Sequence, residues 1–478
     1  MSNADIALDG VPPALAPQAT AHPAATGHPK GLYLLFATEM WERFSYYGNR
    51  ALLALFMVNA LLFDKQFAAS LYGKYTGLVY LAPLVGGYVA DRWWGNRRSI
   101  MLGGLVMAAG QFALFWAGSS LHNAPLAHGL FYCGLGLIVA GNGFFKPNIS
   151  SMVGQLYTPN DRRKDAAYTI FYMGINLGSF IAPLLCGYLG DTGNAGDFRW
   201  GFFAAGIGML LSLVVFGAFH KRYLVTPDGA PVGLAPQRVA KGASRVAAAP
   251  LTPAEKQRMV VIGVISFFVI FFWSAFEQAG VSLTFFAEEA TDRMLFGYQI
   301  PTSWFQSLNP VFVLIFAPLM AQLWSALGRR NREPASPTKM AWGLLLLAAG
   351  YLIIGFGVKD MSASVKASMF WLVAMYAMHS LGELCLSPIG LSLVNKLAPA
   401  RFASLMMAVW FTANAAANWF AGILAGFYPD GGRVPSFLGF QITGLHEFFM
   451  LFVAMAFAAG AILLLLTRPL QKMMHGVR

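Results

Sequence analysis

Charges standing inside apolar runs are the first residues that need an explanation. The carboxylates are Glu39, Glu42, Glu277 and Glu383, and the cations are Arg43, Arg50, Lys74 and Lys146. At the centre of a membrane span each costs about 2.5–3.5 kcal/mol, so each needs a partner, a wet cavity or a task. One stretch gathers several: Glu39-Met-Trp-Glu42-Arg43-Phe-Ser-Tyr46-Tyr47-Gly48-Asn49-Arg50. At about 100° per residue, Glu39, Arg43, Tyr46 and Arg50 fall on one side of a helix. Glu42 and Tyr47 flank them, and Trp41 and Phe44 turn away. The i, i+4 spacing sets Glu39 beside Arg43. A carboxylate next to an arginine that can change partner can take up and release a proton, which is what a proton carrier needs. A static ion network that fixes helix packing would use the same residues.

Two further runs carry isolated charges. Lys146 lies in Gly141-Asn-Gly143-Phe-Phe-Lys146-Pro147-Asn148. Pro147 removes a backbone donor and is expected to disturb the helix there, while Gly141 and Gly143 allow close packing. A lysine snorkelling to the interface is the alternative. Glu383 lies in His379-Ser-Leu-Gly382-Glu383-Leu-Cys-Leu-Ser387-Pro388, and its place in the second half of the chain makes it a partner for a first-half cation. His379, one turn earlier, either tunes Glu383 or hydrogen-bonds between helices. No HExxH, no GxxxxGK[ST] and no His/Cys cluster occurs, so neither a metalloprotease nor an ATP-driven pump is indicated. Cys133, Cys186 and Cys385 all fall in apolar runs, without disulfide or metal spacing.

The elements that must hold these charges are long and apolar. The chain has 478 residues, 57% hydrophobic and 11% charged, with a mean hydropathy of +0.56. Soluble domains carry about 25% charged residues; here lipid is the solvent for the outer face. The net charge of +12 comes from short loops, not one basic patch, so nucleic acid is excluded as a partner. About twelve stretches can cross ~30 Å of hydrocarbon, near 31–61, 68–91, 98–120, 125–154, 166–190, 199–220, 257–287, 300–327, 338–358, 366–397, 402–428 and 443–468. The expected organisation is a disordered Ala/Pro-rich tail at 1–30 rather than a cleaved leader, a six-helix bundle at 31–220, and a linker at 221–256. A second bundle at 257–470 and a tail at 471–478 follow.

Lys and Arg concentrate on one side: Arg92, Arg97 and Arg98; Arg162, Arg163 and Lys164; Arg329, Arg330, Arg332 and Lys339; and, in the linker, Arg238, Lys241 and Arg245 among others. That bias puts both termini, with Lys472 and Arg478, in the cytoplasm. A weak repeat relates Gly87-Tyr-Val-Ala-Asp91-Arg92-Trp-Trp-Gly95-Asn-Arg97-Arg98, after the second span, to Leu323-Trp-Ser-Ala-Leu-Gly328-Arg329-Arg330, after the eighth. Parallel halves of this kind place a substrate at their interface near the midplane.

The first of those stretches resembles the loop signature of the major facilitator superfamily, with glycines for a tight turn and Asp91 placed to pair with arginines or cap a helix. Glu39-x-x-Glu42-Arg43-Phe-x-Tyr46-Tyr47 is similar to the first-helix signature of its proton-dependent oligopeptide transporter branch. Phe144-Phe-Lys146-Pro147-Asn148-Ile-Ser150, Phe171-Tyr-x-x-Ile175-Asn176-x-Gly178-Ser179 and Glu383-x-x-x-Ser387-Pro388-x-Gly390 resemble the fourth-, fifth- and tenth-helix motifs of that family. The resemblance runs from about residue 32 to 470. It implies an all-α polytopic membrane fold with a cavity for di- and tripeptides between two bundles, and proton-coupled symport by alternating access in the cell membrane. It implies Arg43, Arg50 and Lys146 near the peptide carboxylate, and Glu383, Asn176 and Asn309 near the amine. Tyr46, Tyr47, Tyr80 and Trp410 would shape the side-chain pockets, with Ser387 and Asn414 also against the peptide. Glu39, Glu42, Arg43, Lys146 and Glu383 would couple the proton. Glu277 would pair with Arg50 across an outer gate, and Lys146 with Glu383 across an inner one. Lipid, protons and peptide are then the partners of a monomer without cofactor, metal or catalytic set. The short linker departs from the many bacterial members that carry two extra helices there.

A zwitterionic peptide needs one positive and one negative site about two residues apart, and first-half cations with second-half Glu383 meet that need. A carrier of nitrate, a drug or another small anion is the competing reading on the same fold, although a bare anion has no use for Glu383. A membrane-embedded enzyme or receptor would show a nucleophile–base or metal set, and none is present.

Overall fold

In the computed structural model of the chain, residues 27–158, 161, 163–235, 251–359, 361, 365–430, 434–437 and 439–477 are described. Most of the expected N-terminal tail, the middle of the linker with Arg238, Lys241 and Arg245, and Arg162 and Arg478 lie outside these residues. Among the described residues there are twelve long helices: α1 (Lys30–Leu55), α2 (Lys65–Val89), α3 (Gly95–Ser119), α4 (Ala124–Gln155), α5 (Lys164–Gly190), α6 (Phe198–Tyr223) and α7 (Pro253–Phe276) in the first run. After a short α8 (Ser282–Glu289) come α9 (Leu308–Arg329), α10 (Ser336–Gly357), α11 (Met369–Leu397), α12 (Ala403–Ala425) and α13 (Leu445–Met473). At 1.5 Å per residue, even the 22 residues of α9 and α10 span about 33 Å. Among the described residues nine helical stretches are apolar enough to cross a membrane by composition alone, one of them running from Lys65 to Ser119 through α2 and α3 together. α1, which holds the Glu39-to-Arg50 charges, and α12, which carries Asn414 and Asn418, are not among them.

Local sequence sets the ends. Asp64 caps α2 by accepting from Gln66 N at 2.9 Å and Phe67 N at 3.1 Å. Thr252 and Glu255 form a reciprocal capping box at the start of α7, with Pro253 in its first turn. α4 keeps its course through Pro147, 32 residues in all, with the disturbance confined to the bond that Pro147 cannot make. The carbonyl that Pro147 leaves unbonded, Gly143 O, faces Gly86 of α2 so closely that a methyl group on Gly86 would collide with it. α3 and α4 also touch backbone to backbone, a Cβ on Gly103 standing 2.6 Å from Gly141 O, which is how membrane helices gain dispersion contact without a hydrophobic drive.

α1 packs on α5 and α6, α3 on α4 and α6, and α2 on α4. In the second half α10 packs on α11 and α13, and α7 on α12 and α13. The halves meet where α2 lies against α12, and where α5 lies against α9 and the 3-10 turn before it, Thr302–Ser307. No loop separates α2 from α3: a wide turn at Ala90–Trp94 leads straight into α3 at Gly95, whose φ of 72° needs glycine. Asp91 is exposed there and pairs with no arginine among the described residues. The first residues of the linker are docked on α3: Arg97 donates to Val232 O and Leu224 O, both at 2.6 Å. The loops at the opposite end carry three two-stranded pairings, such as Met294–Leu295 with Tyr298–Gln299, too short to alter the all-α class.

Candidate functional site

The line of charge on α1 is buried throughout. Arg43 forks onto Glu42, Nε to Oε2 at 2.5 Å and Nη2 to Oε1 at 2.6 Å. Glu39 Oε1 stands further off, 3.3 Å from Arg43 Nε. The spacing had singled out Glu39, but the arginine stem is long enough to fold back on its immediate neighbour, and the bidentate bond goes to Glu42. Asn142 of α4 leans on Glu42 Oε1 at 3.5 Å. Glu39 Oε2 is buried without a hydrogen-bond partner. Below and above the carboxylates sit the aromatic walls: the Arg43 guanidinium is 5.0 Å from the Tyr46 ring centre and Arg50 is 5.7 Å from that of Tyr47.

Arg50 reaches across the halves. Its Nη2 pairs with Glu277 just past the end of α7, and its Nε donates to Tyr72 OH at 2.8 Å. This end, opposite the chain termini, is stitched at several more points. Asn59 donates to Glu288 at 2.6 Å, and Lys65 meets Glu289 at 2.5 Å and Asp430 at 3.1 Å. Ser303 gives Asp191 its backbone N–H at 2.8 Å and its hydroxyl at 3.0 Å, while Trp304 Nε1 and Ser307 Oγ donate to Leu184 O and Phe180 O of α5.

Deeper in, Lys146 and Glu383 are not bonded to each other across the halves among the described residues. Lys146, Tyr80, Asn309, Glu383 and Ser387 are only half-buried. Lys146 Nζ lies 4.8 Å from the Tyr80 ring centre and forms no ion pair among the described residues. Glu383 Oε2 accepts from Asn309 Nδ2 at 2.8 Å, and Asn309 also donates to Ser380 Oγ at 3.0 Å. The anticipated pair of Lys146 with Glu383 is therefore not made in this conformation. α4 packs on α2 and α3, and α11 on α9 and α10, so a bond between the two side chains would require the terminus-bearing end to draw in. Asn176 and Asn414 turn their amide N–H groups back on their own helices, to Tyr172 O and Trp410 O, both at 2.9 Å. Trp410 packs against Gly390. His379 is buried on α11 with its ring 4.7 Å from that of Tyr351 on α10.

Lys74 departs from the expectation that intramembrane charges face inward. It is exposed on the α2 face that also bares Phe67 and Leu78. Sequence reading missed Tyr72, Asn142 and Ser380, which complete the shells of Arg50, Glu42 and Asn309. Each is a polar residue inside an apolar run, a signal too common in these helices to stand out without the fold.

Comparison with known proteins is consistent across sequence and structure. A family model described as the POT family matches residues 97–232 and 236–436. A peptide transporter of Yersinia enterocolitica is 36% identical, over 95% of this chain and 96% of its own. Dipeptide and tripeptide permease A of Escherichia coli is 31% identical, over 92% of each. Among solved structures, a variant of a peptide transporter in complex with alafosfalin superposes with a TM-score of 0.81 at 34% identity, covering 95% of this chain and 97% of that one.

Proposed function

The chain belongs to the POT family, and from that premise we propose that it is a multi-pass membrane carrier moving di- and tripeptides together with protons, as a monomer with both termini in the cytoplasm. One observation carries the peptide assignment. A cation of the first half, Lys146, and a carboxylate of the second, Glu383, are each half-buried, and neither is paired with the other among the described residues. Two unpaired opposite charges suit the two ends of a zwitterion, and a bare anion would use only one of them. Bound peptide then bridges the halves, and the energy of that bridge drives closure at the terminus-bearing end.

The proton has a natural place on α1. Glu39 Oε2 has no donor and no water-facing surface, so a proton there costs no hydrogen bond already made. A charge added there as the proton leaves calls Arg43 away from Glu42. Through that exchange Arg43 is released to, or withdrawn from, the peptide carboxylate. A proton falling through 100 mV gives about 2.3 kcal/mol and each pH unit about 1.4 kcal/mol, which together concentrate peptide roughly several hundredfold. The test is uptake of labelled dialanine into proteoliposomes with and without a pH gradient, beside counterflow of the same peptide. Gradient-driven accumulation is expected. Uptake of nitrate instead, or dialanine counterflow no faster than in empty vesicles, would overturn the assignment.

A further inference from the structure

The seventh span does not run straight. α7 ends at Phe276, passes through a 3-10 turn at Glu277–Gly280 and restarts as α8 at Ser282. A break inside a span frees backbone groups that lipid cannot satisfy, and here side chains take them up. Tyr351 OH donates to Ala275 O at 2.7 Å and Thr284 Oγ1 to Ala279 O at 3.0 Å. Gln278 does more. Its Nε2 donates to Ser274 O, one turn back, at 2.9 Å and to Ala421 O of α12 at 3.0 Å, while its Oε1 accepts from Ser282 Oγ at 2.5 Å. It is fully buried and ties both sides of the break to another helix.

That α12 carbonyl adjoins the seam between the halves. Gly422, next to Ala421, lies against Gly73 of α2: a Cβ on Gly73 would stand 2.6 Å from Gly422 Cα and 2.9 Å from Asn418 O. Next to Gly73 is Tyr72, whose hydroxyl accepts from Arg50, and Arg50 pairs with Glu277, the neighbour of Gln278. Gly280 seals the circle, since a Cβ there would collide with the Tyr72 hydroxyl and lie 3.2 Å from Arg50 Nε. The contacts thus form a closed ring through α1, the α7 break, α12 and α2, which crosses between the two halves twice.

We infer that Gln278 is the positioning residue of the outer gate: by tying the break in the seventh span to Ala421 of α12, it makes the Arg50–Glu277 pair and the α2–α12 seam form and part as one unit. It touches neither peptide nor proton. The inference rests on the reading of the chain as an alternating-access carrier. It assigns to this glutamine the task of turning a single ion pair into the closure of a whole face. Breaking any member of a coupled ring loosens the others, whereas a local staple loosens only its own segment.

The experiment compares wild type, Gln278→Leu and Gly73→Ala, reconstituted, by dialanine counterflow and by amide hydrogen exchange. Gln278→Leu keeps the bulk and loses three hydrogen bonds. Its maximal counterflow rate is expected to fall at least tenfold with KM changed less than threefold. Residues 69–76, 277–289 and 418–425 are expected to exchange faster together, by tenfold or more. Gly73→Ala, with Gln278 intact, is expected to give the same three-segment pattern. Faster exchange confined to 277–289 for the first variant, or to 69–76 for the second, overturns the inference, as does counterflow at the wild-type rate. Should Gln278→Leu fail to fold, Gln278→Asn keeps the amide but falls one methylene short of Ala421 O, and the same outcomes apply. If wild type carries no dialanine, the transport reading fails, and the exchange pattern still decides whether the ring moves as a unit.

Discussion

Single side chains divide the labour of the site, and each division can be tested. Removing Lys146 leaves one end of a zwitterion without its charge in a partly dry cavity, a loss of a few kcal/mol. Lys146→Ala is expected to cut dialanine uptake at least roughly tenfold, and uptake at the wild-type rate would remove Lys146 from the cavity. Glu383→Gln keeps the shape and can still accept from Asn309 but loses the charge. Peptides with a free amine are expected to lose more affinity than amino-blocked analogues, measured by competition; equal losses would reduce Glu383 to a gating role. On α1, Glu39→Gln and Glu42→Gln are expected to abolish gradient-driven uptake and spare counterflow, because exchange needs no net proton movement. The unpartnered oxygen makes Glu39 the more decisive of the two. Gradient-driven accumulation surviving in both variants would move the proton site off this helix.

At the scale of elements, the end opposite the termini is closed along two lines: α2 against α12, and α5 against the 3-10 turn at Thr302–Ser307. The second line has a titratable lock. Asp191 lies just beyond the end of α5 and accepts two bonds from Ser303. Burial raises its carboxyl above the ordinary value, against the lowering pull of those bonds and of Arg293. When the end opens, Asp191 meets water and returns toward about 3.9. The closed form therefore holds the proton more tightly. Closure gains as pH falls, and that gain is lost as pH rises through the raised value. Asp191→Asn is expected to flatten the pH dependence of amide protection at residues 302–307, corrected for intrinsic exchange; an unchanged slope would place the titration elsewhere. At the other end, Asp161 in the α4–α5 loop is held down to about 2 by its hydrogen bonds to Arg163. It stays ionised across that range and does not take part in the response.

Over the whole molecule, the structure is one of two arrangements that the charges permit. Arg50 with Glu277 joins the halves at the end opposite the termini, while Lys146 and Glu383 are not paired with each other. Leaving either member of a buried pair alone costs about 3–5 kcal/mol. Arg50→Glu and Glu277→Arg are each expected to suppress counterflow by more than tenfold. The double exchange is expected to recover a measurable part of it, since the coupling between neighbours is what a double-mutant cycle reads. No recovery would mean that Arg50 and Glu277 act separately.

The apolar runs were enough to predict twelve long helices and their approximate bounds, because hydrocarbon thickness fixes how many residues a helix needs to cross. Residue type and spacing were enough to nominate Glu39, Glu42, Arg43, Lys146 and Glu383, because an ionised group in lipid is costly wherever it lies along the chain. Which charges meet was another matter. The preference of Arg43 for Glu42 over Glu39, the unbroken course of α4 through Pro147, the docking of the linker on Arg97 and the outward turn of Lys74 each depend on what stands opposite. The pair of Arg50 with Glu277, 227 positions away in the chain, is made as the family resemblance implied, although neither composition nor spacing pointed to it. Helical periodicity gives the direction of a side chain from its own axis. Only the packing of helices fixes which other axis lies in that direction, and at which end of the bundle the two halves are drawn together.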